Sequence, residues 1–398
     1  MVERREVVIT GIGIVSALGE GADAHWQKLN EATPNANTET FAPCTVHPIV
    51  AIDFDKQIPK KGDQRQMEPW QRIGTYAAGL ALENAGIKGN AELTGRMDMI
   101  IAAGGGERDA AVDGAILTGM AAAANKDQFI NERLMGDLRP TLFLAQLSNL
   151  LAGNISIVHG VTGSSRTFMG EESSGFDAVR IALSRIQAGQ SDITLVGGAH
   201  NGERKDLLML YESGGYNLKN KYAPVWDRGP QGGFALGSMG AFLVLESREH
   251  AQARNAAPIA RLSAVYADRA RRRQPGEITA TMDKMWDKLG ASIDDKHAAF
   301  ISGATGAEPA TSEEKTFLSK HSTLPVRATG SHIGHGLEPQ FAMNIALAAL
   351  SLKHGQVFSP VNSGAGIEQP MNGALKQAVV TGVGHWRGEG LALVEAAN

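Results

Sequence analysis

Cysteine is almost absent from this chain: Cys44 is the only one among 398 residues. A single thiol excludes an intramolecular disulfide and any metal cage built from cysteines, and it suits a reducing compartment. Aromatic residues make up 6% of the chain and charged residues only 20%. Neither sign of charge is in excess. With 38 basic and 42 acidic residues the formal net charge is −4, which gives no footing for a nucleic-acid or membrane surface. No apolar run reaches the length of a membrane span, and the charged start Met1 to Glu6 leads straight into the strand-length run Val7-Val8-Ile9. Neither a signal peptide nor a transmembrane segment is expected, and the expectation is a soluble cytoplasmic protein.

What the chain has in plenty is glycine, 47 residues, more than helical packing needs and suited to many tight strand-to-helix turns. At 43% hydrophobic it can bury one large core or two fused ones. Two segments repeat one design. A helical pattern from Arg72 through Ala85-Gly86 leads to the strand Met97 to Ala103 and then Gly104-Gly105-Gly106. A helical pattern from Thr279 through Leu289-Gly290 leads to the strand His297 to Ser302 and then Gly303-Ala304. Arg180-Ile181-Ala182-Leu183 running to Gly189-Gln190 is likewise matched by Asn344-Ile345-Ala346-Leu347 running to Gly355-Gln356, both read as helices closed by a glycine. Val8-Ile9-Thr10-Gly11 and Val379-Val380-Thr381-Gly382 are read as a strand ending in a glycine corner in each half. Strands alternating with helices predict two similar α/β units with mixed, mostly parallel sheets covered by helices, 1–250 and 251–398, with the boundary near Ser247 to Ala257.

The chemical centre of interest is Gly170-Glu171-Glu172-Ser173-Ser174-Gly175. It opens an amphipathic helix directly after the predicted strand Ser165 to Met169. A side chain at such a corner sits among free backbone N–H groups at the positive end of a helix, a good place to activate a thiol. A carboxylate there is a poor nucleophile for building a stable acyl intermediate, and it also serves simply as a favourable N-terminal charge worth about 0.3–1 kcal/mol. Ser173 and Ser174 read as capping and packing groups, with no His–Asp pair in evidence near them. His332 and His335 lack the further ligands in motif spacing that a metal site shows, so no metal is expected. Gly11-x-Gly13 lacks the third glycine of a dinucleotide fingerprint, and no cofactor is expected.

Val7 to Gly19, the helix-opening Ser-Ser-Gly, the strand Asp192 to Gly198, and Asp227-Arg228-Gly229 through Phe234-Ala235-Leu236-Gly237 resemble the β-ketoacyl-acyl-carrier-protein synthases, over nearly the whole chain. The resemblance implies a thiolase-like fold, α/β, with two duplicated, helix-covered, five-stranded mixed-sheet halves in an αβαβα sandwich. It also implies a chemistry of cysteine, two histidines and a lysine, with backbone amides as an oxyanion hole. Carried over position by position, Glu172 stands at the nucleophile and Gly303 at the first histidine. Gly330 stands at the lysine, and His335 keeps the second histidine. Glu314 fits the glutamate that follows the first histidine, and Val383-Gly384-His385-Trp386-Arg387 replaces the gating loop with one glycine in register. Ala152-Gly153 and Val196 to Ala199 hold the family's spacing around Glu172, and Cys44 is far from it in a loop-like stretch.

With three of four chemical side chains absent, ordinary condensation is not expected of this chain alone. Glycines at 303 and 330 are expected to remove bulk and charge from the old pocket. The chain also resembles the chain-length-factor subunits that pair with an active ketosynthase and border its acyl tunnel, although these commonly carry glutamine where Glu172 stands. Two other readings stay open. One is an active enzyme, a malonyl-carrier-protein decarboxylase or atypical synthase using Glu172 and His335, which needs a protonated Glu172. The other is a structural homodimer that binds acyl carrier protein. Val383, Gly384, His385 and Ser173 are expected to gate or line the pocket. Arg269, Arg271, Arg272 and Arg273 form a surface run that reads either as a solvated loop or as a docking patch for acidic acyl carrier protein. The strand Ser165 to Met169 is where the family's dimers join.

Overall fold

The computed structural model describes residues 4–31, 34–137, 146–219, 221–361 and 366–397. Its large sheet has ten main strands, in chain order: β1 Val7–Ser16, β2 Asp98–Ala103, β3 Ser165–Met169, β4 Ile193–His200 and β5 Met239–Ser247, then β6 Ala260–Asp268, β7 Ala298–Ser302, β8 Val326–Ala328, β9 Gln377–Val383 and β10 Glu389–Ala396. Across the sheet they lie in the order β8-β7-β9-β10-β6-β1-β5-β4-β2-β3, with Gly19–Glu20 as a short eleventh strand on β1.

The order is the same sequence read twice. From the centre outward the first half runs first, fifth, fourth, second and third strand, and so does the second half. In both, the second strand pairs in parallel with the third and fourth, and the fifth is antiparallel to its neighbours. The two halves meet where Val8 and Ile9 pair with Arg261 and Ala260. This duplication was read from the helix–strand–glycine pairs, and the strand at 98–103 and that at 298–302 are indeed both second strands. The comparison of Val8–Gly11 with Val379–Gly382 needs correction. The first lies in the first strand of its half and the second in the fourth strand of the other. Nor does Gly11 end a strand: β1 continues to Ser16 after an irregularity between Ile9 and Gly11.

Helices fill three layers around the strands. Side-chain alternation along a strand sends successive residues to opposite faces. In β2, Ile100 and Ala102 face the central cluster, while Met99, Ile101 and Ala103 face an outer one with α1, Pro69–Asn84, and α2, Leu150–His159. In β7, Ala299 and Ile301 face the centre, and Ala298 and Phe300 face α5, Glu277–Leu289, and α6, Ala310–Ser319. The middle layer holds α3, Glu171–Gln187, and α8, Gln340–Lys353. Helix α8 is buried on nearly every side, as a helix hydrophobic all round must be. Both middle helices close alike: Gln190 N–H bonds to the Arg185 carbonyl at 2.9 Å and Gln356 N–H to the Ser351 carbonyl at 3.1 Å, past Gly189 and Gly355 at positive φ. Close helix-to-strand packing uses Gly13, where a Cβ would lie 2.0 Å from the Ala77 carbonyl oxygen of α1. No helix among the described residues is long and apolar enough to cross a membrane.

Candidate active site

Strand β3 ends at Met169, and the chain turns into α3 through Gly170 at φ 130° and Glu171 at φ 53°. The left-handed step at Glu171 swings that side chain outward, with its carboxylate 3.7 Å from Arg387 Nε, and turns Glu172 into the protein. Glu172 is 3% exposed. Its Oε1 accepts three hydrogen bonds: from His335 Nε2 at 2.6 Å, from His385 Nδ1 at 2.8 Å and from the His385 backbone N–H at 3.1 Å. The carboxylate stands between two imidazoles brought together from positions far apart in the chain.

Each imidazole is held by its own scaffold. After the short helix α7, Gly330–Ile333, His335 bridges to Leu236: its N–H donates to the Ala235 carbonyl at 2.8 Å and its carbonyl accepts from Gly237 N–H at 2.9 Å. His385 lies in the turn between β9 and β10, enclosed by the rings of Tyr216, Tyr211 and Phe234 with centroids 4.8–5.3 Å away. Its turn is tied from outside by Arg272, whose guanidinium donates to the carbonyls of Gly384 at 2.8 Å, His385 at 3.2 Å and Gly388 at 3.3 Å, and to Glu389 at 2.8 Å.

The charges follow from this geometry. Burial alone would push the Glu172 carboxyl upward, but the His385 charge and the bonds from His335 and His385 hold it well below the usual carboxylate range. Burial likewise works against protonation of His385, yet the Glu172 charge raises its pKa. Burial wins at His335, whose pKa is lowered despite its bond to Glu172. These shifts favour an ionised Glu172, a proton held on His385 and a neutral His335. His385 should titrate above 6.5 in an NMR pH series, and its pKa should drop in Glu172→Gln, where only the Glu171 charge still opposes burial. Because its pKa is raised in the folded protein, the stability this group adds is complete below 6.5 and is lost as pH climbs through the folded value.

The other site positions fall as follows. Gly303 and Gly330 leave no vacancy, contrary to the expectation that they remove bulk from a pocket. A Cβ at Gly303 would lie 2.7 Å from the Thr381 carbonyl oxygen and 3.0 Å from Asn344 Nδ2, and one at Gly330 would lie 2.7 Å from the Ala304 carbonyl oxygen. The backbone has closed on both. Glu314 is buried beneath Gly303, accepting from Ser302 Oγ at 2.7 Å and from Thr381, and burial raises its pKa. Ser173 and Ser174 donate their hydroxyls to the carbonyls of Gly170 and Glu171, the capping use read from sequence. Val383 ends β9, and Gly384 places its backbone against the carboxylate: a Cβ there would lie 3.1 Å from Glu172 Oε2. His332 packs edge-on to Phe358.

Two placements differ from the sequence reading. Arg272 is turned inward onto Glu389 and the 384–388 carbonyls, so it is no part of a surface patch, while Arg269, Arg271 and Arg273 are exposed. Cys44 is buried rather than placed in an open loop: it belongs to the apolar cluster that includes Tyr211, Phe234 and Leu337. Burial pushes its thiol up, and no hydrogen bond joins it to either histidine among the described residues. Beside the elbow opens a cavity of about 330 Å³ lined by Gly104, Met169, Glu171, His200, Tyr211 and Glu338.

Arg272 and the ring cage were missed from sequence. A histidine in a turn expected to carry an aromatic gate was the one available signal. Replacing Arg272 by Met removes several charge-assisted bonds, each worth about 1.5–3 kcal/mol. Limited proteolysis should then cut first at the 384–388 turn.

Comparisons with known proteins agree with this architecture. The family described as Beta-ketoacyl synthase, N-terminal domain matches residues 4–251. The chain is 25% identical over 264 residues to 3-oxoacyl-[acyl-carrier-protein] synthase 2 of Vibrio cholerae, an alignment covering 64% of this chain and 60% of that protein, so it spans about three fifths of that relative's length. It is 26% identical over 376 residues to the putative polyketide beta-ketoacyl synthase 1 of Streptomyces halstedii, covering 89% of this chain and 87% of that protein. Among solved structures, the ishigamide ketosynthase/chain length factor superposes with a TM-score of 0.81 at 19% identity, over 99% of this chain and 100% of that one. A beta-ketoacyl synthase from Burkholderia phymatum gives 0.79 at 17% identity, again over 99% and 100%. These likenesses fix the thiolase-like fold.

Proposed function

The chain belongs to the β-ketoacyl synthase family, and from that premise we propose that it is a non-condensing subunit of fatty acid or polyketide biosynthesis that pairs with a cysteine-bearing ketosynthase. The observation that carries this reading is the Glu172 carboxylate seated between His335 and His385 at the place aligned with the nucleophile. An ionised carboxylate with Oε1 committed to three donors neither forms a lasting acyl intermediate nor leaves His335 free to hold an enolate oxygen. Residues 1–250 and 251–398 act as the two ketosynthase halves around this site.

Partnering is supported by the outer edge of the first half. Strand β3 has no neighbour on one side among the described residues, its last residue Met169 is 64% exposed, and Leu210, which lines the same cavity, is 62% exposed. An unpaired edge flanked by apolar side chains is a surface made to be covered. The cavity behind Met169 would then border the partner's acyl tunnel. One solved neighbour is a type II acyl-carrier protein in complex with its ketosynthase. By analogy Arg269, Arg271 and Arg273 would steer acidic acyl carrier protein, and reversing all three charges should weaken its binding and flatten its salt dependence.

Co-expression with a cysteine-bearing ketosynthase tests the proposal. A stable one-to-one complex is the expected result, and a homodimer that ignores the partner would favour the structural reading instead. Decarboxylation is a second reading, favoured by the bond between Glu172 and His335 but opposed by the ionised state of Glu172, which repels a malonyl carboxylate. Carbon dioxide release from malonyl carrier protein that vanishes in Glu172→Ala would support it over the first.

A further inference from the structure

We propose that Glu172, His335 and His385 form a binding site for one divalent transition-metal ion of the zinc class. The ligating atoms, one carboxylate oxygen and two imidazole nitrogens, all lie within 4.8 Å of one another, and all three residues are buried. Nothing in the sequence marks them as a set, because Glu172 is 163 residues from His335 and 213 from His385. One carboxylate with two imidazoles is a nitrogen- and oxygen-donor set that suits zinc, cobalt or ferrous iron, and it is a poor match for magnesium or calcium, which take oxygen ligands.

A second observation points the same way. Glu172 Oε2 is buried without a hydrogen-bond partner among the described residues, although every other donor nearby converges on Oε1. A buried carboxylate oxygen with no donor is costly, and a cation is the ligand that would satisfy it. Metal bonds of about 2.0–2.1 Å place tetrahedral donor atoms about 3.3 Å apart. The present spacings from Oε1 are 2.6 Å to His335 and 2.8 Å to His385, so the site has to open by about 0.7 Å at His335 and about 0.5 Å at His385. His335 is held by its bridge to Leu236 and His385 by Arg272 and three rings, so both present their nitrogens from fixed directions.

Binding replaces protons with the ion. The lone pairs of His335 Nε2 and His385 Nδ1 go to the metal, and the protons those atoms shared with Glu172 pass to the other ring nitrogen or to solvent. Three protein ligands leave one coordination position open. The ion would staple the elbow of the first half to the turn between β9 and β10 in the second.

The test uses the purified chain, stripped with a chelator and titrated with Co²⁺ as a coloured probe. The expected result is one Co²⁺ per chain with visible d–d absorption, displaced by Zn²⁺ and lost in His335→Gln and in His385→Gln. X-ray absorption on the wild-type zinc-loaded protein is the check that needs no variant, and it should show two imidazoles and oxygen. A wild-type chain that takes up no Co²⁺, absorption unchanged in both variants, or a first shell without imidazole would each overturn the proposal. None of these outcomes bears on whether the chain pairs with a ketosynthase, which co-expression reads separately.

Discussion

Replacing His385 by phenylalanine is expected to lower the unfolding free energy by about 3–5 kcal/mol, the cost of leaving a buried charge without its ionic partner. The side chain itself should fit, since the position lies among the rings of Tyr211, Tyr216 and Phe234. What it cannot do is donate to Glu172, which keeps only His335 and one backbone N–H. Adding Glu172→Leu to the same protein should recover most of the loss, because a buried ion pair exchanged whole for apolar groups is often close to neutral. Urea unfolding of the wild type, both single variants and the double variant gives the coupling between the two sites. A His385→Phe loss below about 1 kcal/mol would mean that Glu172 is not held ionised by that histidine.

Installing a cysteine tells whether only the nucleophile is missing. The Glu172→Cys variant is expected to take up an acyl group, since the thiol would sit beside His335 and His385 at the start of α3. Carbon–carbon bond formation should nevertheless stay at least about a thousandfold below that of a cysteine-bearing ketosynthase, because catalytic groups that act as a unit fail together. Nor is an imidazole expected to fit at position 303, which is aligned by resemblance with a histidine. Gly303→His would drive a Cβ to 2.7 Å from the Thr381 carbonyl oxygen, so that variant should be unstable rather than active. Condensation at wild-type ketosynthase rates by Glu172→Cys alone would contradict the assignment of positions 303 and 330 as lost.

These expectations show which parts of the molecule were legible in the sequence. The duplication was, because helix, strand and glycine recur in the same order and the second strands and middle helices were paired correctly. The match of Val8–Gly11 to Val379–Gly382 failed because a valine-rich strand with a glycine occurs at several places in each unit, and local pattern carries no strand order. Glu172 could be found, since strand-to-helix corners have a recognisable punctuation. The role of its second histidine could not: His385 was expected to gate or line the pocket, and its bond to Glu172 was not foreseen. His385 is held there by three aromatic rings and by Arg272, which lies in a run that looks like any solvated charge cluster and caps three carbonyls of the turn. The two glycines misled for a related reason: a missing side chain says nothing of whether the neighbouring backbone moves in, and at Gly303 and Gly330 it has.

The idea beneath all of this is that the acyl chain is never carried on this polypeptide. Intact-mass measurement decides it most directly, after the chain and a cysteine-bearing ketosynthase are incubated together with acyl carrier protein bearing a long-chain acyl group. The expected spectrum shows the acyl mass on the partner and this chain unmodified. An acyl adduct on this chain, at Cys44 or any other residue, would contradict it.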